Sequence, residues 1–231
     1  MVNSWDLPVC LGDLEVRNLG LISYGESLRI QEELVLLRRA GDVSDQLLIQ
    51  EHPHVITIGK AASEKHIIVS REQMEELGIK VFHVGRGGDV TYHGPGQLVG
   101  YPILDLKPNR KDLHRYLRDL EEVLIRSLSV FSIKGSRREN LTGVWVGDRK
   151  VAAIGVRVSS QWITSHGFAI NICNDLSYFE TIVPCGISDV QITSISNELG
   201  EEIEMDIVSE TVVREFIGVF GHDIRSNVEL D

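Results

Sequence analysis

The sequence predicts an α+β fold built on a mixed or antiparallel sheet flanked by helices, and three observations carry that expectation. Strand-like runs follow one another in groups, with helices inserted between them, whereas a doubly wound parallel sheet would show strict alternation. Leu113, Leu117, Leu120, Leu124 and Leu128 recur at spacings of 4, 3, 4 and 4, a single helical stripe opposite Arg115, Arg118 and Glu122. Finally, the apolar runs 144–146 and 150–158 flank Gly147-Asp148-Arg149, which reads as a hairpin.

Taken in order, residues 14–19 read as a strand. Ser23 and Glu26 have the spacing of a capping box, opening a helix that runs to about Arg39 and is closed by Gly41. Residues 46–50 and 55–58 are short and apolar, with Pro53 between them, and are expected as two strands of one sheet. Ser70 and Gln73 repeat the capping pattern ahead of a short helix that Gly78 ends, and residues 80–84 form the next strand. A glycine-rich loop follows, then the leucine-striped helix, whose stripe is expected to be core. After the hairpin come a strand near residues 162–172 and an amphipathic helix over 206–220. No repeat, low-complexity tract or Pro/Ser linker interrupts the chain, so residues 1–231 are expected to form one domain.

A formal net charge of -11 argues against a sequence-independent nucleic-acid binder, which needs clustered cations to neutralise phosphates. No apolar run reaches 18 residues and the first 13 lack a basic region followed by an apolar core, so a soluble cytoplasmic protein without membrane attachment is expected. Cys10, Cys173 and Cys185 are odd in number and far apart, and no C-x-x-C is present; free thiols in a reducing compartment fit best. Two basic stretches stand out in this acidic chain: Arg137, Arg138, Arg149, Lys150 and Arg157, and Arg110, Lys111, Arg115 and Arg118. They are either solvated surface charge or a docking face for an acidic carrier protein.

The densest chemical signal is Gly85-Arg86-Gly87-Gly88-Asp89-Val90-Thr91-Tyr92-His93-Gly94-Pro95-Gly96-Gln97. Glycines let a backbone approach a ligand closely, but no Gly-Lys-Ser/Thr follows, and Val90 stands where a dinucleotide fingerprint has its third glycine. A substrate-contacting loop is the reading that remains. Cys185 lies between Pro184 and Gly186, a loop-like setting that leaves room beside the sulfur; a lone cysteine becomes a nucleophile only where a cation or base favours its thiolate. Cys173 and Cys10 look like packing or incidental thiols. Lys150 precedes the apolar run Val151-Ala152-Ala153-Ile154-Gly155; it is either a turn lysine in water or one whose desolvation lowers its pKa. His52 and His54 share a face of an extended segment, but no third metal ligand accompanies them.

The segments Arg86-Gly87-Gly88, Thr91 to Gln97, Gly147 to Gly155, His166-Gly167-Phe168-Ala169-Ile170-Asn171 and Pro184-Cys185-Gly186-Ile187, in that order and spacing, resemble the lipoyl (octanoyl) transferases, the LipB family, over residues 16–220. The resemblance implies a fold akin to the biotin and lipoate protein ligases, which share ancestry with class II aminoacyl-tRNA synthetase catalytic domains. It implies transfer of an octanoyl group from octanoyl-acyl carrier protein, through a thioester on Cys185, to a lysine of lipoyl domains or of the glycine cleavage H protein. Lys150 matches the lysine that activates the thiol. Substrate contacts then fall on Arg86, Gly87, Gly88, Asp89, Val90, Thr91, Tyr92 and His93, on Ala153, Ile154 and Gly155, and on Gly167, Phe168 and Ala169. No cofactor or metal is implied, and a monomer is expected. An ATP-dependent lipoate protein ligase, a non-catalytic module that binds lipoyl domains or acyl carrier protein, and a cysteine hydrolase are the competing readings.

Overall fold

The strand-forming runs divide between two sheets. The structure, a computed structural model, describes residues 9–11, 14–108, 110–183 and 191–221. In chain order these form β1 (Val9–Leu11), β2 (Leu14–Leu21), α1 (Tyr24–Ala40), β3 (Asp45–Glu51), β4 (Val55–Ile58), α2 (Arg71–Glu76), β5 (Lys80–His83), β6 (Val90–His93) and β7 (Gln97–Ile103). There follow α3 (Leu113–Val130), β8 (Gly135–Arg138), β9 (Leu141–Val146), β10 (Arg149–Val158), β11 (Thr164–Asn171), β12 (Gln191–Ile192), α4 (Ile195–Leu199) and α5 (Met205–Phe220). Among the described residues the larger sheet runs β1-β2-β3-β7-β11-β10-β9-β8, with β12 added beside β10, and the smaller runs β5-β4-β6. Parallel pairs (β2 with β3, β10 with β12, β4 with β5) occur among antiparallel ones, so both sheets are mixed, as expected.

One expectation is overturned here: β3 and β4 belong to different sheets. Glu51 ends β3, and His52-Pro53-His54 carries the chain across before β4 begins at Val55. Pro53 has no N–H to give a ladder, so pairing has to restart beyond it. The glycine-rich stretch is likewise only partly loop. Val90-Thr91-Tyr92-His93, β-branched and aromatic, forms β6 and pairs antiparallel with β4.

Helix ends follow the capping chemistry. Ser23 accepts the Glu26 N–H at 3.4 Å, and Gly41 closes α1 at φ 85°. At α2 the box is complete, Ser70 Oγ taking the Gln73 N–H and Gln73 Oε1 taking the Ser70 N–H. One face of the larger sheet is covered by α1, where Tyr24 and Leu34 pack with Leu48, Val99, Tyr101 and Ile103. On the other, α3 and α5 bury Leu120, Leu124 and Leu128 with Val208, Val212 and Phe216.

The leucine stripe therefore changes role along α3: Leu120, Leu124 and Leu128 are fully buried, whereas Leu113 is 41% exposed and Leu117 only partly covered. Leu124→Ala is expected to cost about 3 kcal/mol in urea unfolding, and Leu113→Ala less than about 1 kcal/mol. Equal losses would show the stripe to be uniform core.

Candidate active site

Between the two sheets lies a cavity of about 510 Å³. One wall is the chain leading into β6, where Arg86, Gly87, Gly88, Asp89, Val90, Thr91 and His93 face the space. The opposite wall is the middle of β10 and β11: Lys150, Ala153, Ile154, Gly155, Gly167, Phe168 and Ala169. Antiparallel pairing sets Gly155 opposite Gly167 and Ile154 opposite Phe168, so the small positions of both strands coincide at one level. Leu113 and Leu117, expected as core, line the cavity instead, because the first turn of α3 runs past its edge.

Tyr92 is the candidate contact residue that lies outside the lining. Its side chain is taken up by the core of the smaller sheet: its hydroxyl sits 2.7 Å from His54 Nδ1, and its ring packs against Tyr178 and Phe179. Asp89 shapes the turn before β6, accepting the Val90 N–H at 2.8 Å through Oδ1 and meeting His66 Nδ1 at 2.6 Å through Oδ2.

Arg86 is 6% exposed and ties the chain before β6 to β4. Its guanidinium donates to Thr57 O and Thr57 Oγ1, each at 2.8 Å from Nη2, and to Gly87 O at 3.0 Å from Nη1. From the adjoining peptide the Gly87 N–H reaches Val156 O on β10 at 2.8 Å.

At one end of the cavity a layer of aromatic and imidazole rings gathers Tyr24, His93, Tyr101 and His166, with His52 behind them. Sequence reasoning passed over Tyr24 and Tyr101. They stand on α1 and β7, and no local spacing connects them with the glycine-rich stretch. Their positions follow from how α1 packs on β7. His52 Nδ1 is 2.8 Å from the Ile22 carbonyl, which can only accept, so the proton is assigned to Nδ1 and Nε2 is the acceptor, with Gln50 Nε2 and the Tyr101 hydroxyl each at 3.0 Å. His93 is fixed similarly: Gln97 donates its Nε2 to Asn171, leaving Gln97 Oε1 to accept from His93 Nδ1 at 2.7 Å. Burial pushes all three histidines down: His52 to about 4, His93 to about 3 with neighbouring His52 adding to the effect, and His166 to about 4 with the Arg86 and Arg157 charges adding to it. All three are neutral at pH 7. Burial raises the Tyr24 hydroxyl to about 12.

Lys150 is not a turn lysine in water; it is 7% exposed. Its Nζ lies 5.2 Å from the centre of the Trp145 ring, within cation–π range. Register slips between Lys150 and Ala152 opposite Trp145 and Val144, a bulge of the kind that re-aims a side chain. Cys185 lies outside the described residues. The described chain on either side of it is anchored: the Val183 N–H donates to His66 O at 2.8 Å, and β12 pairs Gln191 with Arg149 and Ile192 with Lys150.

Cys173 is exposed, contrary to a packing role. Its thiol is pushed up, first by the covering it retains and then by the carboxylates of Glu51, Glu202 and Glu204. His52 and His54 do not share an environment, and no cluster of three or more His, Cys, Asp or Glu suited to a metal ion occurs among the described residues. Among the described residues, six of the nine cations in the two basic stretches meet carboxylates within the chain: Arg137 meets Glu121 and Glu122, Arg118 Glu121, Arg138 Asp148, Arg149 Glu198, and Arg110 and Arg115 Asp119.

Residues 23–217 match the lipoyl protein ligase A/B catalytic domain. The chain is 50% identical over 210 residues to the octanoyltransferase of Rubrobacter xylanophilus, covering 90% of this chain and 94% of that one. It is 47% identical over 215 residues to that of Solibacter usitatus, covering 93% and 96%. Among solved structures it resembles a bipartite lipoate protein ligase of Thermoplasma acidophilum (TM-score 0.71, 18% identity, 94% of this chain and 86% of that one). It also resembles the biotin protein ligase of Aquifex aeolicus in complex with biotin and ATP (TM-score 0.55, 17% identity, 89% and 70%). At those identities the structures establish the fold: the chain has the architecture of a biotin/lipoate ligase catalytic domain. It belongs to the lipoyl protein ligase A/B family, within that family to the octanoyltransferase (LipB) branch, and is an acyltransferase.

The three neutral histidines carry a pH dependence of stability. Their folded pKa values lie below that of the unfolded chain, so the unfolded state binds more protons between about pH 4 and 6.5, and stability falls as pH drops through that window. At pH 5 the loss is expected to reach about 2 kcal/mol for each of them. Urea unfolding midpoints equal at pH 7.5 and 5 would contradict the neutral assignment.

Proposed function

We propose that the cavity receives an octanoyl chain carried as a thioester by acyl carrier protein, that Cys185 takes the acyl group over, and that a lysine of a lipoyl domain or of the glycine cleavage H protein accepts it. The observation that carries this reading is the burial of Lys150 in the wall of an acyl-sized cavity, on the strand to which the chain following Cys185 is paired.

In the first half-reaction the Cys185 sulfur, as thiolate, attacks the thioester carbonyl and the carrier thiol leaves with a proton. One thioester replaces another, so little driving force is needed. An unperturbed thiol titrates near ~8.5 and is only slightly ionised at pH 7. A neighbouring ammonium favours the thiolate and a neutral amine accepts its proton, so Cys185 and Lys150 act as one coupled pair. In the second half-reaction the acceptor amine, with an ordinary pKa of ~10.4, attacks the Cys185 thioester and gives up a proton for which Lys150 is the acceptor. The amide product makes that step downhill. Neither half consumes ATP, which separates this reading from a lipoate ligase. The glycines and small residues of β10 and β11 leave the space for the chain, and closing it against water protects the intermediate from hydrolysis. The enzyme works in this reading as a cytoplasmic monomer without a cofactor.

Intact-protein mass spectrometry after incubation with octanoyl-acyl carrier protein and no ATP is expected to show one hydroxylamine-labile octanoyl adduct, present in the native chain and absent from Cys185→Ala. Lys150→Met is expected to fold normally and to keep less than about a tenth of the transfer rate. An adduct that survives in Cys185→Ala, or a Lys150→Met variant transferring at near-native rate, would overturn the assignment concerned.

Gly155 sets the room for the chain. A β-carbon there would stand 3.0 Å from Arg86 Cδ and 3.3 Å from Gly87 O, so a leucine has to turn into the cavity. Gly155→Leu is expected to shift preference from eight-carbon towards shorter acyl donors in competition assays; unchanged selectivity would place the chain elsewhere.

A further inference from the structure

We infer that Glu121 and Gly143 are positioning residues that fix the side chain of Lys150, an inference that rests on the reading of Lys150 given above. Glu121 is a carboxylate on α3 with a side chain only 1% exposed, among the leucines that pack this helix onto the sheet. Burying a carboxylate is costly unless its oxygens are fully engaged. Its two oxygens face different ways. Oε2 meets Arg118 Nη1 at 2.6 Å and Arg137 Nε at 3.0 Å, towards the surface. Oε1 points inward and accepts the backbone N–H of Gly143 at 3.2 Å. The arginines hold the carboxylate in place, and its inner oxygen holds one point of β9.

That point is where Lys150 crosses. Gly143 has φ +132°, a conformation open in practice to glycine. A β-carbon built there would lie 2.6 Å from Ala152 O, 2.8 Å from Lys150 Cε and 3.5 Å from Lys150 Nζ. The lysine stem therefore occupies the space a side chain at 143 would fill, with the Trp145 ring 5.2 Å from its ammonium. The register slip after Lys150 comes opposite the next residues of β9, Val144 and Trp145. A missing side chain, an indole ring and a strand pinned by a buried carboxylate together bound the path of the Lys150 side chain. Catalytic groups need such locking, since displacements of about 1 Å cost on the order of a hundredfold in rate.

The test compares kcat and KM for octanoyl-acyl carrier protein in Gly143→Ala, Glu121→Leu and Glu121→Gln, with Gly41→Ala as control. Gly41 has φ +85° with nothing within 4 Å of its built β-carbon, so it brings backbone strain without touching Lys150. Gly143→Ala and Glu121→Leu are expected to lose about tenfold or more in kcat, with KM within about threefold. Glu121→Gln keeps an oxygen for Gly143 and is expected to hold kcat within about threefold, as is Gly41→Ala. Should Glu121→Leu fail to fold, Gly143→Ala decides. A cooperatively folded Gly143→Ala with kcat within about twofold of native overturns the positioning role. If Lys150→Met is inactive in the same assay, only the positioning role falls; if Lys150→Met is active, the reading of Lys150 falls and takes the inference with it.

Discussion

The buried guanidinium of Arg86 is the interaction on which the rest of the site depends. A full charge at 6% exposure is tolerable only if its donors find acceptors, and here Thr57 on β4 and the neighbouring Gly87 carbonyl take them, while the Gly87 N–H ties the same stretch to β10. Meeting the demands of one side chain thus fixes one wall of the cavity against β4. The backbone had to be kept bare around it. Side chains at Gly59 or Gly155 would crowd the guanidinium or its stem, at 2.8 Å and 3.0 Å respectively. The same charge disfavours protonation of His93 and His166, so the ring layer at the end of the cavity presents neutral donors and acceptors.

Much of the architecture was legible in the sequence because it follows from local rules. Ser70 and Gln73, Gly41, and the Gly147-Asp148 turn each encode a cap or hairpin within a few residues, and each is found where that chemistry requires. The assignment of 46–50 and 55–58 to one sheet failed because sheet membership is a long-range property. Which partner β4 finds, β5 and β6 or the edge of β3, depends on residues up to about forty positions away. The glycine-rich stretch was read as a loop and not as a strand, since glycine density masked four consecutive strand-forming residues.

Within the candidate site, motif residues and geometry largely coincide. Arg86 to Thr91, His93, Lys150, Ala153 to Gly155 and Gly167 to Ala169 share one cavity although they span some eighty positions of chain. Tyr92 is the exception, and the reason is that its ring and hydroxyl are engaged by His54, Tyr178 and Phe179. Tyr24, Tyr101 and the first turn of α3 were not foreseeable, because their approach is set by how α1, β7 and α3 pack. The basic stretches show the opposite limit: the charges were visible in the sequence and their partners, mostly on α3 and α4, were not.

Cys173 shows how an acyl-transferring protein can carry an accessible sulfur without handing it chemistry. Electrophiles, whether alkylating reagents, peroxides or activated esters, choose among thiols by the fraction ionised. Partial cover and three carboxylates keep this one protonated. Its protection is the penalty on the thiolate charge, from partial cover first and carboxylates second, where a packed cysteine's is steric, so an accessible sulfur stays silent without being walled off.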